Sequence, residues 1–125
     1  GLMVAIALPV PSFAMTVEEY LAINRGETAT YSEADVMRYL TGVLDAVVMT
    51  GEVARMQGNP VFCMTDEQIM ALQPGEVKVT LDLMLDQFQQ EMPNFAELAE
   101  NRTVGVATLQ LLTYLYPCES TELAN

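Results

Sequence analysis

Two aspartates, Asp82 and Asp86, have the spacing in this sequence that best suits acid–base chemistry. Four residues apart on a helix, their carboxylates would face one side, and paired carboxylates can transfer protons when their surroundings separate their pKa values. Their neighbours Lys78, Gln89 and Gln90 are instead typical of the polar side of an amphipathic helix. We therefore expect a solvated pair rather than a catalytic one.

Histidine is absent from the 125 residues, which excludes Ser–His and Cys–His nucleophile pairs and every zinc site that uses imidazole. The sequence also lacks a Gly-rich phosphate loop, a GxSxG elbow, a DxDxDG calcium loop and an HExxH motif. We predict a binding protein with no catalytic residues, no metal and no cofactor.

Acidic residues dominate the charge: 17 acids against five bases give a net charge of −12. Such a surface repels phosphate backbones and anionic lipid, so neither nucleic-acid binding nor a polybasic membrane anchor is expected. Between residues 59 and 101 there are eight acids and a single base, Lys78. This stretch is either a solvated face or a surface for a basic partner. The candidate partner-binding residues are Asp66, Glu67, Glu76, Asp82 and Asp86.

Residues 1–14 are uncharged and almost wholly apolar, and they are too short to span a bilayer. An apolar run over 2–8, prolines at 9 and 11, and the small residues Ser12 and Ala14 are typical of the end of a secretory signal. Cleavage after Ala14 would release a mature chain that starts at Met15, in the periplasm or outside the cell. The alternative is a buried N-terminal element of a cytosolic protein.

The two cysteines, Cys63 and Cys118, form no CxxC motif and have no second pair that could complete a metal site. In an exported protein an isolated pair of this kind is most simply one disulfide. The alternative is two reduced thiols in the core.

Hydrophobic spacing and capping signals predict helices almost throughout the chain from Met15 onwards. Capping boxes open helices at Thr16 and Thr65, and Ser32 caps a long helix that reaches about residue 57. Residues 77–92 alternate like a strand, but they match a helical face over a longer run. Asn94 caps a last helical region that reaches residue 116, with a break near 101–103, and residues 118–125 are expected to form a loose tail. We predict one all-α domain of four to five helices over residues 15–125.

Val79 and Leu83 form a second apolar strip on the helix predicted for 77–92, opposite its main apolar face. An apolar strip of this kind is covered either by another helix of the chain or by a second subunit. These two residues are the candidate oligomer contact.

Gly42 lies in the middle of the predicted long helix, where a glycine is less stable than alanine by roughly 1 kcal/mol. Close approach of a second helix would explain Gly42, with Tyr39, Val43 and Ala46 lining the contact. Asp45 would then fix the packing through a hydrogen bond or an ion pair.

Three short patterns occur in order: YxxGVxDA over 39–46, Phe62-Cys63, and Tyr116-Pro117-Cys118. In this combination the chain resembles the Tai-type amidase immunity proteins of type VI secretion, over about residues 39–118. It departs from that family at Met64-Thr65, where an aliphatic residue and a proline are common, and in a longer stretch over 93–117.

The resemblance implies a small all-α periplasmic protein, usually a homodimer with one intrachain disulfide. Such a protein binds a peptidoglycan amidase toxin and blocks its catalytic cleft. The resemblance also implies a structural role for the matching residues, which are Tyr39, Gly42, Asp45, Cys63 and Cys118. Two other functions stay open: a periplasmic acid-stress chaperone, and a structural protein of the envelope.

Overall fold

The computed structural model describes residues 14–118, and these form an all-α fold. The helices are α1 (Val17–Asn24), α2 (Glu33–Met56), α3 (Asp66–Met70), α4 (Pro74–Glu91), α5 (Phe95–Asn101) and α6 (Val104–Leu115). The predicted fold class is confirmed, although six helices are described instead of four to five because the chain after Asn94 divides into α5 and α6. The predicted signal remnant up to residue 13 and the tail after residue 118 lie outside the described residues.

The helix starts follow the predicted capping signals. The side chains of Thr16, Ser32 and Thr65 each accept a hydrogen bond from the backbone amide three residues later. In each case the side chain of that later residue accepts a hydrogen bond from the backbone amide of the capping residue. Asn94 stands at the N-cap of α5 but its side chain makes no capping bond, whereas Thr103 caps α6. The break between α5 and α6 therefore exists because Thr103 starts a new helix.

The core lies where α2, α4 and α6 pack against one another, with α1 against α5 at one side. Leu40 of α2, Leu81 and Leu85 of α4 and Leu111 of α6 are almost fully buried. The stretch over 77–92 is thus helical up to Glu91, as its longer periodicity predicted. None of the helices in residues 14–118 combines the length and the apolar character that crossing a bilayer requires.

The N-terminal side of α1 is tied to the start of α6. Thr16 and Thr103 form an isolated antiparallel bridge, in which the Val17 amide donates to the Arg102 carbonyl and the Val104 amide donates to the Met15 carbonyl, both at 2.8 Å. These bonds satisfy N-terminal amides that a helix cannot pair internally.

At the other end, Cys63 and Cys118 form the predicted disulfide, with 4.9 Å between their Cα atoms. The Cys63 amide also donates to the Tyr116 carbonyl at 2.8 Å. Beneath this covalent link lies a small second core of Phe62, Met64 and Leu112. The segment between α2 and α3 is therefore held to the end of α6.

Gly51 is the glycine of α2 that allows a close approach. A Cβ at this position would lie 2.3 Å from Cζ of Phe62, so the aromatic ring packs directly on the helix backbone. The helix does not end at Gly51, since α2 continues to Met56.

Candidate functional site

Tyr39 is held by two contacts within the fold. Its side chain packs against the main core, and its hydroxyl accepts a 2.9 Å bond from the backbone amide of Met15. The Met15 carbonyl accepts from Val104, so both polar backbone groups of Met15 are fixed.

Gly42, Asp45 and Ala46 are exposed, and the expectation that they pack against a second helix is wrong for this chain. A Cβ at Gly42 would meet nothing within 4 Å. The reason is helix geometry: Gly42 lies two residues from both Leu40 and Leu44, which is about 200° around the helix from these core residues. The close approach predicted at Gly42 occurs at Gly51 instead.

A shallow groove of about 440 Å³ lies beside Gly42 and Asp45. We call it the α2–α3 groove. Its lining residues are Thr41, Gly42, Leu44, Asp45, Val48, Ile69, Leu72 and Pro74. Most of these side chains are apolar, so the groove combines an apolar floor with one carboxyl group, that of Asp45, in its wall.

Three predicted partner-binding acids lie on the elements that form this groove. Asp66 and Glu67 are in the first turn of α3, and Glu76 is in the first turn of α4, all exposed. The pKa of Arg55 is raised chiefly by its hydrogen bond to Glu52 and least by the charge of Asp66. The surroundings of the groove are accordingly acidic.

Asp82 is not a freely solvated carboxylate, contrary to the expectation for the Asp82–Asp86 pair. It accepts hydrogen bonds from the Tyr20 hydroxyl, from the Asn24 amide at 3.2 Å and from the Lys78 ammonium at 2.9 Å. Lys78 also donates to the Asn24 side-chain oxygen at 3.1 Å and lies 5.4 Å from the centre of the Tyr20 ring. We call these four residues the α1–α4 clamp.

Burial and, next, the hydrogen bond to Asp82 raise the pKa of the Tyr20 phenol well above its usual value. Asp86, in contrast, is exposed and accepts one 2.9 Å bond from Gln90 on its own helix. The two aspartates therefore differ in role although they share a helix face. Sequence reasoning missed the clamp, and its signal is two polar i,i+4 pairs, Tyr20 with Asn24 and Lys78 with Asp82, on neighbouring helices.

Val79 and Leu83 remain 61% and 65% exposed, so no helix among the described residues covers them. On α6 the side chains of Val106, Tyr114 and Leu115 are exposed as well, and Val106 lines a second depression together with Tyr114. Together these five residues form the α4–α6 face. Leu83, Tyr114 and Leu115 line a groove of about 380 Å³ between the two helices.

Residues 14–118 contain no group of three or more Cys, Asp or Glu side chains arranged to hold a metal ion. The described residues present two distinct surfaces, the α2–α3 groove with acidic side chains on its elements and the apolar α4–α6 face. Comparison of the chain with family models, with curated proteins and with solved structures gives no match.

Proposed function

We propose that this protein is an exported immunity protein that binds and inhibits a peptidoglycan amidase delivered by type VI secretion. It acts in the periplasm as a homodimer and catalyses no reaction itself. The observation that carries the proposal is the exposure of Gly42 and Asp45, two residues of the pattern that resembles this family, in the wall of the α2–α3 groove. Among the described residues, Gly42 has no packing contact and the Asp45 side chain has no hydrogen bond that would explain these residue types. Contact with a bound partner would explain both.

The groove suits a protruding segment of the partner that carries a basic side chain beside apolar ones. Leu44, Ile69 and Leu72 supply apolar contact area, and Asp45 supplies a carboxylate for a charged hydrogen bond. Because Gly42 has no side chain, the partner's backbone can lie close to α2 at this point.

The charge of the protein adds a long-range attraction to a basic partner. A net charge of −12, with Asp66, Glu67 and Glu76 near the groove, steers such a partner towards it. Salt screens this steering beyond about 8 Å at physiological ionic strength. The association rate constant should therefore fall as salt is added, while the dissociation rate constant should change less.

One contact supports export, and a second is compatible with the expected cleavage. The Cys63–Cys118 disulfide suits an oxidising compartment. Met15, the first residue after the expected cleavage, has its amide bonded to Tyr39 and its carbonyl bonded to Val104. Cleavage after Ala14 would leave these bonds in place, with the new terminal amine still next to the Tyr39 hydroxyl.

The test is co-expression of the neighbouring gene product in the periplasm with the wild-type protein, with Asp45→Lys and with Asp86→Lys. Both substitutions reverse one exposed carboxylate, but only Asp45 lies in the α2–α3 groove. We expect the wild type and Asp86→Lys to prevent lysis and Asp45→Lys to fail. Binding of the purified proteins should show the same order.

The outcomes separate the function from its site. Equal lysis with and without the wild-type protein, or a neighbouring product that does not cleave peptidoglycan, contradicts the immunity function. Full protection by Asp45→Lys together with failure of Asp86→Lys leaves the function standing and moves the contact surface away from the groove.

The chaperone function has one observation in its favour, the exposed apolar α4–α6 face, which could hold unfolded clients. Only five basic residues would keep such a complex soluble after the carboxylates are protonated. Suppression of client aggregation at low pH by the wild type, lost in Leu83→Glu, would support this second function.

A further inference from the structure

We propose that the α4–α6 face is the surface through which two copies of this chain associate, related by a two-fold axis. The inference deepens the proposed function, on which it rests for the dimeric state, by assigning the interface to specific side chains. It leaves the α2–α3 groove for the toxin.

The first argument is the amount of apolar surface on this face. Val79, Leu83, Val106 and Tyr114 are 61%, 65%, 51% and 80% exposed, and Leu115 is 43% exposed. Together they expose on the order of 500 Å², near the upper end for the largest apolar patch of a monomer. A standard interface buries roughly 800 Å² on each partner, a little over half of it apolar, so this face supplies the apolar share of a dimer interface.

The second argument is shape. A two-fold interface uses the same patch on both copies, so the patch must carry both a recess and a projection. Here the groove between α4 and α6 is the recess, and the Tyr114 side chain projects at its edge. Tyr114 also borders a second apolar depression together with Val61 and Val106, which extends the recess along α6.

The third argument is charge, and it selects a second copy over a basic protein. Two chains of net charge −12 repel each other unless they meet at a face that carries little charge. The twelve residues of α6 include no charged side chain. At the border stand one acid, Glu91, which lines the groove, and one base, Arg102, which donates to Gln110 at 2.8 Å. A basic toxin would find few counter-charges here, whereas the α2–α3 groove offers several.

The experiment measures the self-association of the full chain by sedimentation velocity over a range of concentrations. The variants are Leu83→Glu and Tyr114→Glu on the face, with Met49→Glu as the matched control. Met49 is an apolar side chain of α2 with similar exposure, 62%, so the control adds the same charge elsewhere. Because all three side chains are exposed, each variant should keep its circular dichroism spectrum and its cooperative thermal transition.

We expect the wild type and Met49→Glu to be dimers, and each face variant to raise the dimer dissociation constant at least tenfold. A wild type that stays monomeric overturns the inference. So does a dimer that both face variants leave intact, or one that Met49→Glu weakens as much as Leu83→Glu does. If a face variant unfolds, Val106→Ser and Leu83→Ser take its place. We expect each of them to raise the dimer dissociation constant by a smaller factor. An unchanged dissociation constant in both would contradict the inference.

The same proteins separate this inference from the proposed function. A monomeric Leu83→Glu that still binds the amidase supports the interface and shows that the groove acts without it. A wild-type dimer that binds no amidase leaves the interface in place and removes the immunity function.

Discussion

Two regions of the molecule attach peripheral segments to the α2–α4–α6 core by opposite means. At the disulfide end, a covalent bond and the apolar packing of Phe62 on Gly51 hold the segment between α2 and α3. At the other end, the polar α1–α4 clamp joins the side chains of Tyr20 and Asp82. The first attachment depends on covalent connection and close packing, and the second depends on charge and on the direction of hydrogen bonds.

The two attachments should respond differently to pH, to salt and to substitution. A disulfide stabilises mainly by restricting the unfolded chain, so its removal is felt at any pH and any salt concentration. The clamp depends on the ion pair between Lys78 and Asp82 and on the proton that the Tyr20 hydroxyl donates to Asp82. The disulfide end should therefore fail through loss of the bond or through steric change, and the clamp through changes of charge.

Replacement of both cysteines by alanine should cause the largest loss of stability. The bond closes a loop with a sequence separation of 55, which corresponds to about 4 kcal/mol on the chain-entropy estimate. Urea unfolding followed by circular dichroism measures the loss. A loss below about 1 kcal/mol would mean that the packing of Phe62 and the bond from the Cys63 amide hold the segment without the disulfide.

Alanine at Gly51 and at Gly42 gives a matched pair within α2. Each substitution gains about 1 kcal/mol of helix propensity. At Gly51 the new Cβ would lie 2.3 Å from the Phe62 ring, so overpacking of about 1–3 kcal/mol should outweigh that gain. At Gly42 nothing lies within 4 Å, and the gain should be realised in full.

A double variant identifies the cause of the Gly51 effect. In a Phe62→Ala background the ring is gone, and Gly51→Ala should become stabilising. If Gly51→Ala destabilises equally with and without the Phe62 ring, the contact is not the reason for this glycine.

Asp82→Asn should cost about 1–2 kcal/mol, because it leaves the largely buried Lys78 ammonium without its charged partner. Asp86→Asn is the control: its carboxylate is exposed and bonds only to Gln90, so the change should stay within about 0.5 kcal/mol. Thermal unfolding at neutral pH compares the two variants. Equal effects would show that the clamp contributes nothing beyond a solvated face.

The sequence predicted the first of these regions far better than the second, for a physical reason. Caps and a cysteine pair act through local backbone amides or through one possible covalent partner, so Thr65 and Cys63 could be assigned without a tertiary structure. The Tyr20–Asp82 contact spans 62 residues and requires the rotation of two helices to be known.

The same limit explains the error at Gly42. A glycine in a helix indicates either that another part of the chain packs closely on it or that the helix tolerates the loss of stability. Only the position of the helix's buried residues decides between the two. In α2 those residues include Leu40 and Leu44, which turns Gly42 outwards.

The smallest predicted effect is a loss of stability at alkaline pH that arises from Tyr20. Its folded-state pKa is raised above the usual value of about 10, mainly by burial, so the folded protein retains this proton after the unfolded chain has lost it. Because the unfolded state then binds fewer protons, the free energy of unfolding is unaffected below pH 10 and falls above it. One proton corresponds to a limiting slope of about 1.4 kcal/mol per pH unit, which amounts to roughly 1 kcal/mol between pH 10 and pH 11.

Phenylalanine substitutions test whether this slope belongs to the clamp. Tyr20→Phe lowers stability at neutral pH through the lost bond to Asp82, but it should also remove the alkaline slope. Tyr31→Phe, at a 49% exposed position outside the α4–α6 face, should leave both the neutral stability and the slope unchanged. If the two variants lose stability in parallel with the wild type above pH 10, the slope comes from other groups and Tyr20 ionises as an exposed phenol would. The stability that the clamp contributes would then depend on alkaline pH as little as the stability that the disulfide contributes. The expected difference between the two regions would not extend to pH.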